Sequence, residues 1–340
     1  MAVWKTILIG LAGALLASPI PLPLSELFAA AFATVLYLRL SAQTIKLPDI
    51  ILTLIQLILG ISIGITVPVA ELVGSFSLPL FLGLVLCMLC QTTVNFLWLY
   101  KREKWTPFES LLGAIPGAMA AILVISEGQE KPSPKIVFSH SIRLLLLVVL
   151  AGVIASTGES HDSQLTQSFS LALTGHLTLL AVTSFLLGKL VGKVGIPAPF
   201  LLTSLVAATV YHSLLPDLTL TVPESLIMFA TAILGVLIGV RLAPTTLREA
   251  ISYSKAGFIV TLLGVSVTLC FAASFHFLTG VDWQVLLLAW VPGSVEAMTA
   301  VALLLGLEPA FVAINHVMRL MMLYMMPAVL KAPLERLSRL

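Results

Sequence analysis

The sequence predicts an all-α, polytopic membrane protein made of two related halves, each with five spans and one re-entrant Pro-Gly hairpin. Three observations carry this: an excess of apolar residues, a series of long apolar runs cut by Pro, Gly or charge, and a restart of the same residue order about halfway along. Of 340 residues, 59% are hydrophobic and 10% are charged, and the mean hydropathy is +1.09. A soluble domain is about 45–50% apolar and about 25% charged. The surplus cannot be hidden inside water-soluble cores, which excludes a cytosolic enzyme, a DNA-binding domain and a disordered tail. A net charge of +2, from 18 Lys+Arg against 16 Asp+Glu, gives no nucleic-acid signature. Cys87, Cys90 and Cys270 all fall in apolar runs, so no disulfide framework is implied, and Cys87 and Cys90 read as lipid-facing.

Taken in order, spans are expected at 4–19, 23–40, 48–67 and 78–99. The first could pass for a signal peptide after Lys5, but it runs directly into further apolar segments. A stretch interrupted by Pro-Gly covers 106–128, and a span follows at 134–156. The most polar segment comes next, so repeat 1 is assigned to 1–157, an external linker to 158–169 and repeat 2 to 170–340. In repeat 2, spans are expected at 172–192, 197–212, 222–240, 255–279 and 309–330, with a second Pro-Gly-interrupted stretch at 284–306.

The restart reads as an internal duplication. A shift of 175 superimposes Pro48-Asp49 on Pro223-Glu224, Ile58-Leu59-Gly60 on Ile233-Leu234-Gly235, and Gly64 on Gly239. A shift of 176 superimposes Pro116-Gly117 on Pro292-Gly293, His140 on His316 and Arg143 on Arg319. Coincidences among Leu and Ile are cheap in such a chain, whereas Pro, Gly, His and Arg in one order are not. Charge then sets orientation, because Lys and Arg are retained on the cytoplasmic side. If each interrupted stretch returns to its own side, sixteen Lys/Arg lie inside and none outside, with Arg143 and Arg319 within spans. If each stretch crosses fully, the count is nine against seven. The first arrangement gives inverted halves, ten spans and two cytoplasmic termini, the plan of many secondary transporters of the elevator type.

The candidate site lies where this plan breaks the helix. Pro116, Gly117 and Ala118 form one tip, and Pro292, Gly293 and Ser294 the other. Proline removes an amide donor, glycine permits a sharp reversal, and a half-helix starting beyond them turns free amides toward an anion. Arg143 and Arg319 stand roughly 14–16 Å along their spans, near the middle of a ~30 Å core. An arginine at that depth reads either as an anion contact or as a lock on hairpin carbonyls or a carboxylate. His140 and His316, three residues before each arginine, could relay a proton or orient the guanidinium. Glu296 has Ala120 as its counterpart. It reads either as a partner of Arg319 or a coupling cation, or as a helix cap. The pairs Gly60/Gly64 and Gly235/Gly239 read as close helix contacts or as walls near the tips. Glu127 reads as a solvated charge at the hairpin mouth. The six histidines show no paired ligand spacing, so no metal is expected.

At these residues the chain resembles the bacterial AbrB-duplication family of membrane proteins, distinct from the small DNA-binding AbrB. The pieces that carry the resemblance are Ala114-Ile-Pro-Gly-Ala118, His140-x-x-Arg143, Leu234-Gly-Val-Leu-Ile-Gly239, Val291-Pro-Gly-Ser-Val-Glu296 and His316-x-x-Arg319. The family more often carries Pro-Gly-Gly at each tip, where this chain has Ala118 and Ser294. Family members are also labelled regulators or ammonia monooxygenases, and the latter would need copper ligands that this chain does not offer. The resemblance and the residues together imply a secondary transporter in the bacterial inner membrane for a small anionic organic solute, coupled to H⁺ or Na⁺. The alternatives are a regulatory role in gene expression and, behind it, a membrane-embedded enzyme. Expected partners are the solute, the coupling ion and the bilayer. A homodimer is compatible with the sequence, and no cofactor or nucleic acid is expected.

Overall fold

A computed structural model describes residues 2–20, 25–67, 69, 77–115, 135–136, 139–140, 142–143, 146–147, 149–150, 171–196, 198–215, 220–243 and 247–337. Among these there are twelve helices and no strand: α1 Ala2–Ala17, α2 Ser25–Leu40, α3 Asp49–Gly64, α4 Leu78–Lys101, α5 Pro107–Ala114, α6 Leu171–Lys193, α7 Pro199–Leu214, α8 Glu224–Leu242, α9 Leu247–Thr279, α10 Trp283–Trp290, α11 Val295–Leu305 and α12 Pro309–Leu337. The described residues between Lys135 and Leu150 are also helical. The 158–169 linker and residues 116–134, which include Glu127, lie outside the described set.

The helices start where the sequence breaks them. Pro48 and Pro223, both extended, stand just before α3 and α8, and Pro199 occupies the first turn of α7. The second interrupted stretch is split as expected, with α10 and α11 separated by an irregular segment, 291–294; in the first, α5 ends at Ala114 and the part from 116 onward lies outside the described residues. Two boundaries differ: α12 ends at Leu337 rather than 330, and α9 starts early. α9 begins at Leu247, eight residues before the expected span, because Arg248, Glu249 and Ala250 are good helix formers and extend the helix beyond its apolar part.

Leu78–Lys101, Leu173–Lys193 and Lys255–Thr279 are long and apolar enough to cross a bilayer. Others are shorter; α3 and α7 have 16 residues each, about 24 Å of helix. Large apolar side chains face outward along the long helices: Leu82, Leu86 and Leu89 on α4, Val182, Leu186 and Leu190 on α6, Leu262 and Leu269 on α9. Exposed apolar surface of that extent marks contact with lipid rather than water. The protein is a helical membrane protein.

The chain forms two compact units, and each draws on both halves. Unit 1 comprises Met1–Ser75, Gly152–Pro244 and Thr299–Ala313; unit 2 comprises Phe76–Ala151, Thr245–Met298 and Ile314–Leu340. Unit 1 is joined by glycine seams. A Cβ on Gly60 would stand 2.6 Å from Leu201 O, and one on Gly64 2.7 Å from Ala208 Cβ, so α3 lies directly on α7. A Cβ on Gly235 would stand 2.9 Å from Ala30 Cβ, and one on Gly239 2.6 Å from Ala31 O, so α8 lies as closely on α2. These glycines therefore make the close helix contacts, while Ser62 turns back onto Ile58 O at 2.7 Å.

Unit 2 is joined by polar groups. On α4 the buried residues Leu80, Leu84, Cys87, Gln91, Asn95 and Leu99 form one stripe at helical spacing. Cys87 faces inward, contrary to the lipid-facing expectation, because it sits one turn before Gln91, whose Nε2 donates to its Sγ at 3.1 Å. Cys90 and Cys270 are exposed, and all three thiols are free.

Candidate functional site

Both broken stretches start with the same device. Thr106 caps α5 through a capping box, with Glu109 N donating to Thr106 Oγ1 and Thr106 N donating to Glu109 Oε2, both at 3.2 Å. Asp282, 176 residues later, caps α10 by accepting from Gln284 N at 3.0 Å. Each short helix then loses its ladder. Val291 is extended (φ −62°, ψ 144°), and Pro292 contributes no amide donor. The last carbonyls of the short helix and those of the break need partners from elsewhere.

Histidine and arginine supply them. His140 Nε2 donates to Leu112 O at 3.0 Å, and His316 Nε2 donates to Leu288 O at 2.9 Å. Arg143 Nη1 donates to Ile115 O at 3.3 Å, and Arg319 Nη1 donates to Val291 O at 2.5 Å. In all four cases the donor lies 28 residues after its acceptor. The contacts also climb together: as the short helix advances by three residues, the long one does too. Each short helix therefore runs parallel to the helix that carries its arginine.

The second half carries the break further. Arg319 Nη2 donates to Gly293 O at 2.6 Å, so one guanidinium spans two carbonyls either side of Pro292. This is the carbonyl lock anticipated as one of the two readings for this arginine. In the first half, Arg143 Nη2 meets His140 Nδ1, and Gly117, the counterpart of Gly293, lies outside the described residues. With Nε2 donating to Leu112 O, His140 is neutral and its Nδ1 accepts, so it orients the guanidinium. His316 Nδ1 and Arg319 Nε have no partner among the described residues.

The remaining expected site residues are placed as follows. Ser294 caps α11, its Oγ accepting from Ala297 N at 3.1 Å. Glu296 sits in the first turn of α11 and is partly buried. α11 ends in a Schellman turn at Gly306 (φ 65°), with Leu307 N donating to Ala302 O at 2.9 Å. Pro116, Gly117 and Ala118 lie outside the described residues.

Several residues at the second break were not anticipated. Trp290 is fully buried, packs edge-on against Phe275 at 5.1 Å, and donates from Nε1 to Asn315 Oδ1 at 3.2 Å. Gln91 Nε2 donates to Thr268 Oγ1 at 2.7 Å and to Trp290 O at 3.2 Å. Asn95, one turn further along α4, is 1% exposed. The signal for these two was present: an amide side chain inside an apolar span is expensive and needs a reason.

No curated protein matches the chain. The family profile described as Transition state regulatory protein AbrB matches residues 69–333, which takes in both broken stretches and both arginines. The chain belongs to this AbrB family, in its membrane-protein form and not that of the small DNA-binding AbrB.

Proposed function

We propose that this protein is a secondary transporter for a small anionic organic solute, working by alternating access and coupled to H⁺ or Na⁺. The observation that carries the reading is the pair of buried arginines, each gripping the carbonyls of a broken helix at equivalent places in the two halves. A guanidinium at membrane depth is costly, and interrupted helices with free backbone groups are where transporters bind charged solutes.

The finer plan is ten spans and two re-entrant hairpins in inverted halves, within the bacterial inner membrane and with both termini in the cytoplasm. Parallel pairing of each short helix with its arginine helix supports the hairpins. Pro309, the start of α12, stands ten residues before Arg319 in the same helix, and Trp283 stands eight before Val291. The chain between them must therefore come back to about the level at which it entered. In the first half, Lys135 Nζ lies 3.5 Å from Glu109 Oε1 at the start of α5, which supports the same return. The glycine seams support the duplication, since helix three of each half lies on helix two of the other, an exchange that a two-fold relation produces. Cysteine labelling from outside should reach the 157–169 linker and miss 101–104; a cytoplasmic linker would refute the inverted plan.

The test of function is uptake. Purified protein in proteoliposomes should accumulate a labelled small carboxylate under an inward H⁺ or Na⁺ gradient, and Arg319→Gln should abolish it. The description of the family as regulatory favours a second reading, a membrane regulator acting through a soluble partner. Gradient-independent, Arg319-independent behaviour together with a stable complex on the cytoplasmic loops would favour that reading.

A further inference from the structure

Three helices of unit 2 converge on the second break. Gln91 holds Trp290 O from α4, and Arg319 holds Val291 O and Gly293 O from α12. Gly264 of α9 lies between Pro292 and Asn95: a methyl added there would meet Pro292 Cγ at 3.4 Å and Asn95 Nδ2 at 3.6 Å. These are ordinary contact distances, unlike the tight seams of unit 1, so a group the size of a methyl fits beside Asn95. On α4 and α12, two of these helices, five polar atoms have no hydrogen-bond partner among the described residues. They are Asn95 Nδ2 and Oδ1, Gln91 Oε1, His316 Nδ1 and Arg319 Nε. Asn95 and Gln91 are 1% and 0% exposed. A buried amide left without partners loses its hydration without compensation, so a cluster of such groups calls for a guest that completes it.

The unpaired set has a definite chemistry. Arg319 Nε is a cationic donor, suited to one oxygen of a carboxylate. The Asn95 amide offers donors and an acceptor together, and Gln91 adds an acceptor. A plain aliphatic acid would satisfy the arginine and leave the amides unmatched. We propose that Asn95, with Gln91 and the space beside Gly264, forms a recognition subsite for an uncharged hydroxyl, keto or amide group. The solute class is then short carboxylates that carry such a group. This rests on the anionic-solute reading above and adds to it a second, neutral contact.

The test uses matched probes on the full-length protein in detergent, with affinities from calorimetry or thermal shift. Lactate and pyruvate are compared with propionate, and 3-hydroxybutyrate and succinamate with butyrate. The oxygenated or amidated acid should bind about ten- to hundredfold more tightly than its plain counterpart, the range expected when a buried polar group gains or lacks its partner. Asn95→Leu should reduce that preference, read as the ratio of lactate to propionate affinity within the variant, to under about twofold. Gly264→Ala, whose added methyl has room in the folded protein, should do the same and guards against a folding defect in the first variant. Arg319→Gln should remove binding of every acid. Equal binding of lactate and propionate by the wild type, still lost in Arg319→Gln, would overturn the subsite and leave the anion site standing. A full preference retained by Asn95→Leu would also overturn it. Failure of every acid to bind the wild type would overturn both readings.

Discussion

The two arginine roots occupy equivalent places and are finished differently. Around Arg143 the contacts among the described residues close on themselves: the guanidinium reaches Ile115 O and His140, and His140 passes on to Leu112 O. Around Arg319 both Nη atoms go to backbone, at Val291 O and Gly293 O, while Arg319 Nε and His316 Nδ1 stay unpaired among the described residues. A closed circuit holds a shape; one with unpaired donors and acceptors at membrane depth is prepared to hold something else as well. On the transporter reading proposed above, the second root is the one that keeps groups a solute can use.

Arginine replacements should separate the roots most strongly. Arg319→Gln strands two buried carbonyls that each accepted a charged donor, at about 1.5–3 kcal/mol apiece, so a loss of about 3 kcal/mol or more is expected in detergent unfolding. Arg143→Gln strands one carbonyl among the described residues and should cost about half as much. Carboxylate affinity should vanish in the first variant and survive in the second. Equal loss of affinity in both would mean that the two roots share the solute, and the asymmetry would carry no functional weight.

The glycine seams of unit 1 are the control, because there the halves look alike. Gly60→Ala and Gly235→Ala each place a Cβ within 3 Å of the facing helix. Each should cost about 1–3 kcal/mol by overpacking, with unchanged solute affinity in the folded fraction. The two sites lie on different helix pairs, so the double variant should show the sum of the single losses within about 0.5 kcal/mol. Strong non-additivity would show that the two seams are coupled.

The histidines come next in size. His140→Ala removes the link to Leu112 O and the acceptor of Arg143, and about 2 kcal/mol of stability should go with them. His316→Ala removes one bond to Leu288 O and should cost about 1 kcal/mol. Urea titration of both variants checks the order; a larger loss at His316 would reverse the assignment of the closed and open roots.

Much of this arrangement was legible in the sequence, and the reason is physical. Prolines at 48, 199 and 223 announced helix starts, and the Pro-Gly pair at 292 announced the break, because proline and glycine act locally. Arg143 and Arg319 stood out because charge at membrane depth has few explanations. What could not be read was facing. These helices are apolar on all sides, so no stripe tells which residues meet a neighbour and which meet lipid. Cys87 was assigned to lipid for that reason, and the α3–α7 seam, which joins residues about 140 apart in the chain, leaves no local trace. Gln91 and Asn95 carry no formal charge, yet an amide inside an apolar span needs partners and carries much of the same information.

The smallest energetic effect tests the largest structural claim. Lys135 and Glu109 form a partly exposed ion pair at 3.5 Å, and breaking it should cost no more than about 1 kcal/mol. Its value is positional. If the chain after Ala114 returns to the side it entered, residues 109 and 135 stand side by side; if it crosses, they lie about 30 Å apart on opposite faces. Glu109→Cys with Lys135→Cys, in a background lacking the exposed Cys90 and Cys270, should cross-link rapidly with a short bis-maleimide added to intact protein. Glu109→Cys paired with a cysteine in the 157–169 linker should not. Cross-linking of only the second pair would turn the hairpin into a span, move Lys131 and Lys135 to the outer face, and remove the charge asymmetry on which the inverted arrangement rests.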